Sequence, residues 1–184
     1  MRKLFLTISV LIYILGSIYL SLPNPQLPDL SDSYRSTEEG DTWQHPDQKG
    51  YYTQRIRSTV IQEMLQKFTL KLGNFTLPNL RLNYPPEYAT SLVRDQLNSN
   101  YLEEIVHPLR ESLFINGWEP ENDPKLANIP MNKRSSLKAQ GIVYYSKVTL
   151  KPVYSSFPAR LLIWSLIFPG AFLCYKSLRT AIDV

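Results

Sequence analysis

The chain has one cysteine in 184 residues, two histidines and seven glycines. One thiol excludes an internal disulfide framework, and Cys174 lies inside an apolar run, so any domain outside that run is held by packing alone. Two histidines, with no HExxH and no CxxC, leave too few ligands in register for an ordinary zinc centre. The glycines fall in neither GxGxxG nor GxxxxGK[ST] context, which removes the common phosphate loops, and no GxSxG marks a nucleophile elbow. Nothing in the sequence calls for a cofactor, a metal or a small-molecule substrate.

Two long apolar runs are present instead. "LFLTISVLIYILGSIYLSL", Leu4 to Leu22, contains no charged residue. At the helical rise it would reach roughly 28 Å, close to a hydrocarbon core of about 30 Å. "FPARLLIWSLIFPGAFLCY", Phe157 to Tyr175, carries Arg160 near one end, which could snorkel to the headgroups, and Pro169-Gly170 in the middle, which membrane helices tolerate. The first run also suits a signal peptide, but Tyr19, Ser21, Leu22 and Pro23 make a poor cleavage site, so an uncleaved anchor is expected. Arg2, Lys3, Arg160, Lys176 and Arg179 against Asp183 account for the whole formal charge of +4, so the segment between the runs is neutral. The high pI is therefore no sign of nucleic-acid binding. Basic flanks on the outer sides of both runs predict a multi-pass cell-membrane protein with both termini cytoplasmic. An extracytoplasmic segment without cysteine suits a bacterial cell envelope.

The expected organisation is an anchor over residues 1–22, a Pro-rich flexible stalk over 23–50, an α+β domain over 51–156, a second transmembrane helix over 157–175 and a cytoplasmic tail over 176–184. The stalk is rich in Pro, Asp, Ser and Glu and poor in aliphatic residues. In "TQRIRSTVIQEMLQKFTLKLG", Ile56, Val60, Met64, Phe68 and Leu72 recur at i+4 and predict a core-facing helix stopped by Gly73-Asn74. A second helix should begin near Pro86 and run to about Asn98. "SLFINGW" and "GIVYYSKVTLKPVY" alternate as strands; in the latter Ile142, Tyr144, Ser146, Val148 and Leu150 share the core side. The fold expected is two helices against a three-stranded antiparallel sheet. The polar stretch over 119–140 has no assignment.

Chemistry could reside in "LEEIVHPLRESLFINGWEP", Leu102 to Pro120. Glu103 and His107 would share a helical face as metal or acid/base partners, but Pro108 biases His107 away from helical geometry. If the segment is extended, Glu103, Ile105 and His107 face one way and Leu102, Glu104 and Val106 the other. The candidate catalytic residues are therefore Glu103, Glu104 and His107, set against a charged edge strand that discourages pairing with other chains. "NKRSSLK", Asn132 to Lys138, is a short basic patch that could meet anionic headgroups.

Three strings, "TWQHPDQKGYYTQR", "LRLNYPPEYA" and "YLEEIVHPLRESLFINGWEP", resemble an uncharacterised family of small two-span membrane proteins from candidate-phyla bacteria, over about residues 42–120. The resemblance implies a membrane protein with an outward-facing domain and transfers no catalytic residue. The function expected is a non-enzymatic interaction domain, an assembly or accessory subunit of an envelope complex whose partners are the bilayer and another membrane or envelope protein. The alternative is an envelope hydrolase or transferase using Glu103, Glu104 and His107.

Overall fold

A computed structural model describes residues 2–93, 98–130, 133–134 and 136–182. The chain divides into a helical unit, Met1–Pro23 with Ser155–Val184, and a sheet unit, Asn24–Tyr154.

The helical unit consists of α1 (Arg2–Ser21) and a long helix, Phe157–Ile182. The Trp164 indole donates to the Tyr13 carbonyl at 3.1 Å, and the Tyr13 hydroxyl lies 3.1 Å from Ser165 Oγ. A Cβ at Gly16 would collide with the Trp164 ring, so this glycine permits the close approach. Gly170 has open space around it and makes no such contact. Arg160 is buried and turned back on Ser155, donating to its hydroxyl at 2.7 Å and its carbonyl at 2.6 Å.

Two spans were expected, but one helix among the described residues, Phe157–Ala181, is long and apolar enough to cross a membrane by length and composition. A shorter apolar helix, Leu6–Ser21, lies within α1.

In the sheet unit the elements follow as β1 (Ser33–Arg35), β2 (Lys49–Thr53), α2 (Arg57–Lys67), β3 (Leu70–Leu72), β4 (Phe75–Leu77), β5 (Leu80–Tyr84), α3 (Ala89–Leu92), β6 (Tyr101–Val106), β7 (Ser112–Trp118), β8 (Leu137–Ala139), β9 (Ile142–Tyr144) and β10 (Ser146–Val153); the long C-terminal helix is then α4. The class is α+β as expected, but the main sheet has six antiparallel strands rather than three, in the order β1-β2-β10-β7-β6-β5. Two further hairpins, β3-β4 and β8-β9, stand apart from it.

One sheet face lies under α2. Val60, Ile61, Met64 and Phe68 pack on Tyr51, Tyr101, Ile105, Leu113, Ile115, Val148 and Leu150. The helix is shorter than its apolar pattern, because Leu70–Leu72 already forms β3, so Ile56 and Leu72 are exposed. Ser146, Val148 and Leu150 face the core as expected, whereas Ile142 and Tyr144 belong to the β9 hairpin. The opposite face is covered by Ala89 and Val93 over Leu102 and Phe114. The second helix is a 3-10 turn, Pro86–Tyr88, followed by the four residues of α3; residues 94–97 of its expected range lie outside those described.

Residues 24–50, expected as a flexible stalk, pack into this unit. Leu30 enters the core, and β1 pairs with β2. Glu63 on α2 accepts from the Ser31 amide at 2.9 Å and pairs with Lys67 at 2.6 Å and with Arg55. Lys67 in turn donates to the Asp29 carbonyl and the Ser31 hydroxyl, both at 2.8 Å. Pro-rich composition conceals such a strap, since a few buried side chains and backbone bonds suffice to fix it.

Burial pushes the Glu63 carboxyl up, but the bonds from Lys67 and Ser31 and the field of Arg55 outweigh it and hold the group at about 2. A carboxyl depressed on folding stabilises fully above its unfolded value of about 4.5, and that stability disappears as pH falls towards 2. Glu63→Gln is therefore expected to lower stability by about 1 kcal/mol at pH 6, allowing for solvent screening. Urea titrations at several pH values should show the difference from the parent protein closing as the medium is acidified.

Candidate functional site

The segment Leu102 to Glu111 is the place to seek chemistry. β6 runs between β5 and β7, so its charged residues are central in the sheet, not on the edge expected from sequence. Strand alternation sends Tyr101, Glu103 and Ile105 beneath α2 and Leu102 and Glu104 to the other face.

Glu103 is fully buried and held by two guanidinium groups. Arg57 Nε donates to Oε1 at 2.7 Å, Arg81 Nη2 donates to the same oxygen at 2.7 Å, and Arg81 Nε donates to Oε2. Arg57 also donates to Asn83 Oδ1 at 3.0 Å and lies 5.0 Å over the Tyr101 ring. The bond to Glu103 raises the Arg81 pKa further above its ordinary value. Both oxygens of this carboxylate are taken up by the two guanidinium groups, so neither is presented to a substrate.

Glu104, on the opposite face, accepts from the Tyr84 hydroxyl at 2.7 Å and so raises the phenol's pKa. His107 lies beyond the end of β6, with its ring stacked 5.0 Å from Phe68 and no exposed surface. Its Nδ1 is 3.4 Å from Glu111 Oε1, and neither ring nitrogen has a hydrogen-bond partner among the described residues. Glu111 pairs with Arg110 at 3.1 Å. The turn that gathers this trio is closed by the His107 amide on the Glu111 carbonyl at 3.0 Å, with Leu109 at φ +61°. Sequence reasoning missed the pairing of His107 with Glu111; the available signal was Pro108, which starts a turn able to fold residue 111 back.

The three candidates do not converge. Glu103 and Glu104 face opposite sides of the sheet, and His107 lies four residues along from Glu103, roughly 13 Å at the strand rise, with Ile105 between. Two concavities among the described residues are lined without them. A cavity of about 90 Å³ is lined by residues including Pro120, Glu121, Arg134 and Tyr144. An open groove of about 440 Å³ is lined by Asp29, Leu30, Ser33, Arg35, Lys49 and Tyr51.

In that groove Asp29 accepts from Lys49 and from the Tyr51 hydroxyl, each at 2.6 Å, and both lower its pKa. Burial first, then the bond to Asp29, pushes the Tyr51 phenol up to about 12. Two cations and a phenol donor around one carboxylate suit contact with a negative group. On the other face, Lys147 lies 2.6 Å from Glu38 and 2.8 Å from Asp41, above the Tyr52 ring. Burial lowers its pKa, but the bonds from both acids prevail and hold it up. Gly50 allows Asp41 to come this close, since a Cβ there would strike the carboxylate. In the basic patch, Arg134 is pinned by the Glu121 carbonyl at 2.6 Å and the Ile129 carbonyl at 2.8 Å.

No protein-family model, curated protein or solved structure matches the chain.

Proposed function

We propose that the chain is a membrane-anchored envelope protein whose Asn24–Tyr154 unit is an outward-facing interaction domain, serving as an assembly or accessory subunit of a larger membrane complex. The observation that carries this reading is α4. Leu162, Ile163, Leu166, Ile167, Phe172 and Leu173 are all largely exposed along one continuous helix, a surface that water penalises and lipid accepts. The two apolar helices are read as a membrane hairpin, with the basic residues at both chain ends on the cytoplasmic side. Membership of the two-span family belongs to the same proposal. The interaction role is supported by the internal ion pairing of Glu103 and the separation of Glu103, Glu104 and His107, which leave surface contact as the natural use of the domain.

Topology is tested in a Cys174→Ser background with a cysteine introduced at Ser136. Membrane-impermeant maleimide should label intact cells; labelling only after permeabilisation would invert the orientation. Partner binding is tested by placing a photo-crosslinking residue at exposed Trp43 or Val143 in native membranes. A discrete adduct to one membrane or envelope protein is expected, and a purely diffuse pattern from both positions would count against the subunit role.

A further inference from the structure

The main sheet has two edges, and they are built differently. β1 is three residues long and half-buried throughout, and the β8-β9 hairpin leans on it: Gln140 Nε2 donates to the Tyr34 hydroxyl at 3.0 Å, and the Tyr144 ring stacks 6.4 Å from that of Tyr34. A short, covered strand offers little template to another chain. β5 is five residues long and exposed at every position but Tyr84, which is half-buried. Among the described residues only β6 pairs with its backbone, so alternate N–H and C=O groups along its outer side have no partner strand.

The side chains of β5 do little to discourage pairing. Leu80 is 54% exposed and Leu82 43%, and with Tyr84 they form an apolar row on the face opposite α2, since their partners on β6 are Val106, Glu104 and Leu102. The strand holds neither lysine nor proline, two residues that commonly blunt an edge. Its one charge, Arg81, is on the α2 face and donates to Glu103 of β6 at 2.7 Å, turned inward from the edge. A charge engaged within the sheet is a weak guard for its rim.

β5 is also complementary to itself. A two-fold axis perpendicular to the sheet lays two copies side by side antiparallel and keeps both α2 helices on one face, so residues of like facing must meet. With the axis at Leu82 all five positions pair: Leu80 with Tyr84, Arg81 with Asn83, and Leu82 with its own copy. Moving the axis to Arg81 sets the two arginines opposite each other and Pro78 opposite Tyr84, and moving it to Asn83 sets Pro85 opposite Arg81. Like charges and prolines both oppose strand pairing, and the Leu82 register is free of them.

We propose that β5 pairs with β5 of a second copy of the chain about Leu82, running the two six-stranded sheets into one continuous antiparallel sheet. The pairing satisfies the open backbone groups and covers the row of Leu80, Leu82 and Tyr84 with its own image. It uses residues of the Asn24–Tyr154 unit alone.

The test uses the full chain with Cys174→Ser in freshly disrupted cells, oxidised briefly with copper phenanthroline. Directly opposed strand residues have Cα atoms about 4.5–5.5 Å apart, within the range of about 4.4–6.8 Å that a disulfide spans. Leu82→Cys should therefore give a covalent homodimer, in a yield at least about fivefold above that of Tyr34→Cys at the other edge. Leu80→Cys and Tyr84→Cys chains carrying different tags and made together should link to each other and not to themselves, because like positions are four residues, roughly 13 Å, out of register. Equal dimer from Leu82→Cys and Tyr34→Cys, or none from either, overturns the pairing. Self-linking of Leu80→Cys would mean a different register and overturns it as well. An adduct of Leu82→Cys with a different protein in place of the homodimer would assign this edge to a partner's strand and overturn self-pairing.

Discussion

Replacing Arg57 and Arg81 together by methionine is expected to cost the sheet unit about 3–5 kcal/mol, the penalty for leaving a buried charge without its partners. Glu103 has no exposed surface, so its carboxylate cannot recover hydration when both guanidinium groups are gone. The reverse change should be milder. Arg57 and Arg81 keep 38% and 47% of their side-chain surface exposed, so after Glu103→Gln they can turn to water. Converting all three positions to apolar residues of similar volume should recover most of the loss, because the cost of desolvating the charges disappears along with their attraction. Urea denaturation of the full chain in detergent checks the order, with the double arginine variant weakest. Equal losses in the double arginine and Glu103→Gln variants would mean that the burial of Glu103 is not what makes the arginines necessary.

The second large effect is expected at Phe68. Its ring is fully buried between α2 and the sheet and stacks on His107. Phe68→Ala should destabilise by about 3–5 kcal/mol, from lost transfer energy and the cavity left behind. It would also uncover His107, whose ring nitrogens lack hydrogen-bond partners among the described residues. Water admitted to that cavity could reach them, so Phe68→Leu, which keeps most of the volume, should cost considerably less. Hydrogen exchange at the His107–Glu111 turn should rise in the alanine variant and stay close to the parent in the leucine variant.

Much of the architecture was legible because it depends on local pattern. Val60, Met64 and Phe68 lie on one helical face at any rate of folding, and Ser146, Val148 and Leu150 must share a strand face. What failed has a common cause in long-range pairing. Residues 33–35 and 49–50 read as linker until each finds an antiparallel partner, so composition alone reveals neither the six-stranded sheet nor the strap over 24–50. Helix α2 shows the same dependence at its ends. Ile56 supplies no side-chain cap, and the carboxylate of Glu119 accepts from the Arg57 amide at 3.0 Å instead, while Asn79 serves the other terminus. Both caps come from outside the helix, where no capping motif in the local sequence could reveal them.

The candidate site divides the same way. Alternation alone determined that Glu103 and Glu104 part to opposite faces if the segment is a strand. Only the tertiary structure decided that the strand is central, that Arg57 and Arg81 arrive from α2 and β5 to neutralise Glu103, and that His107 is enclosed beside Phe68 and Glu111. By itself the sequence determined the apolar C-terminal helix, the neutrality of the segment between the apolar runs and the dependence of the fold on packing without disulfides. These follow from composition along the chain, whereas the use of Glu103 depends on partners 22 and 46 residues away, which only folding brings within hydrogen-bond reach.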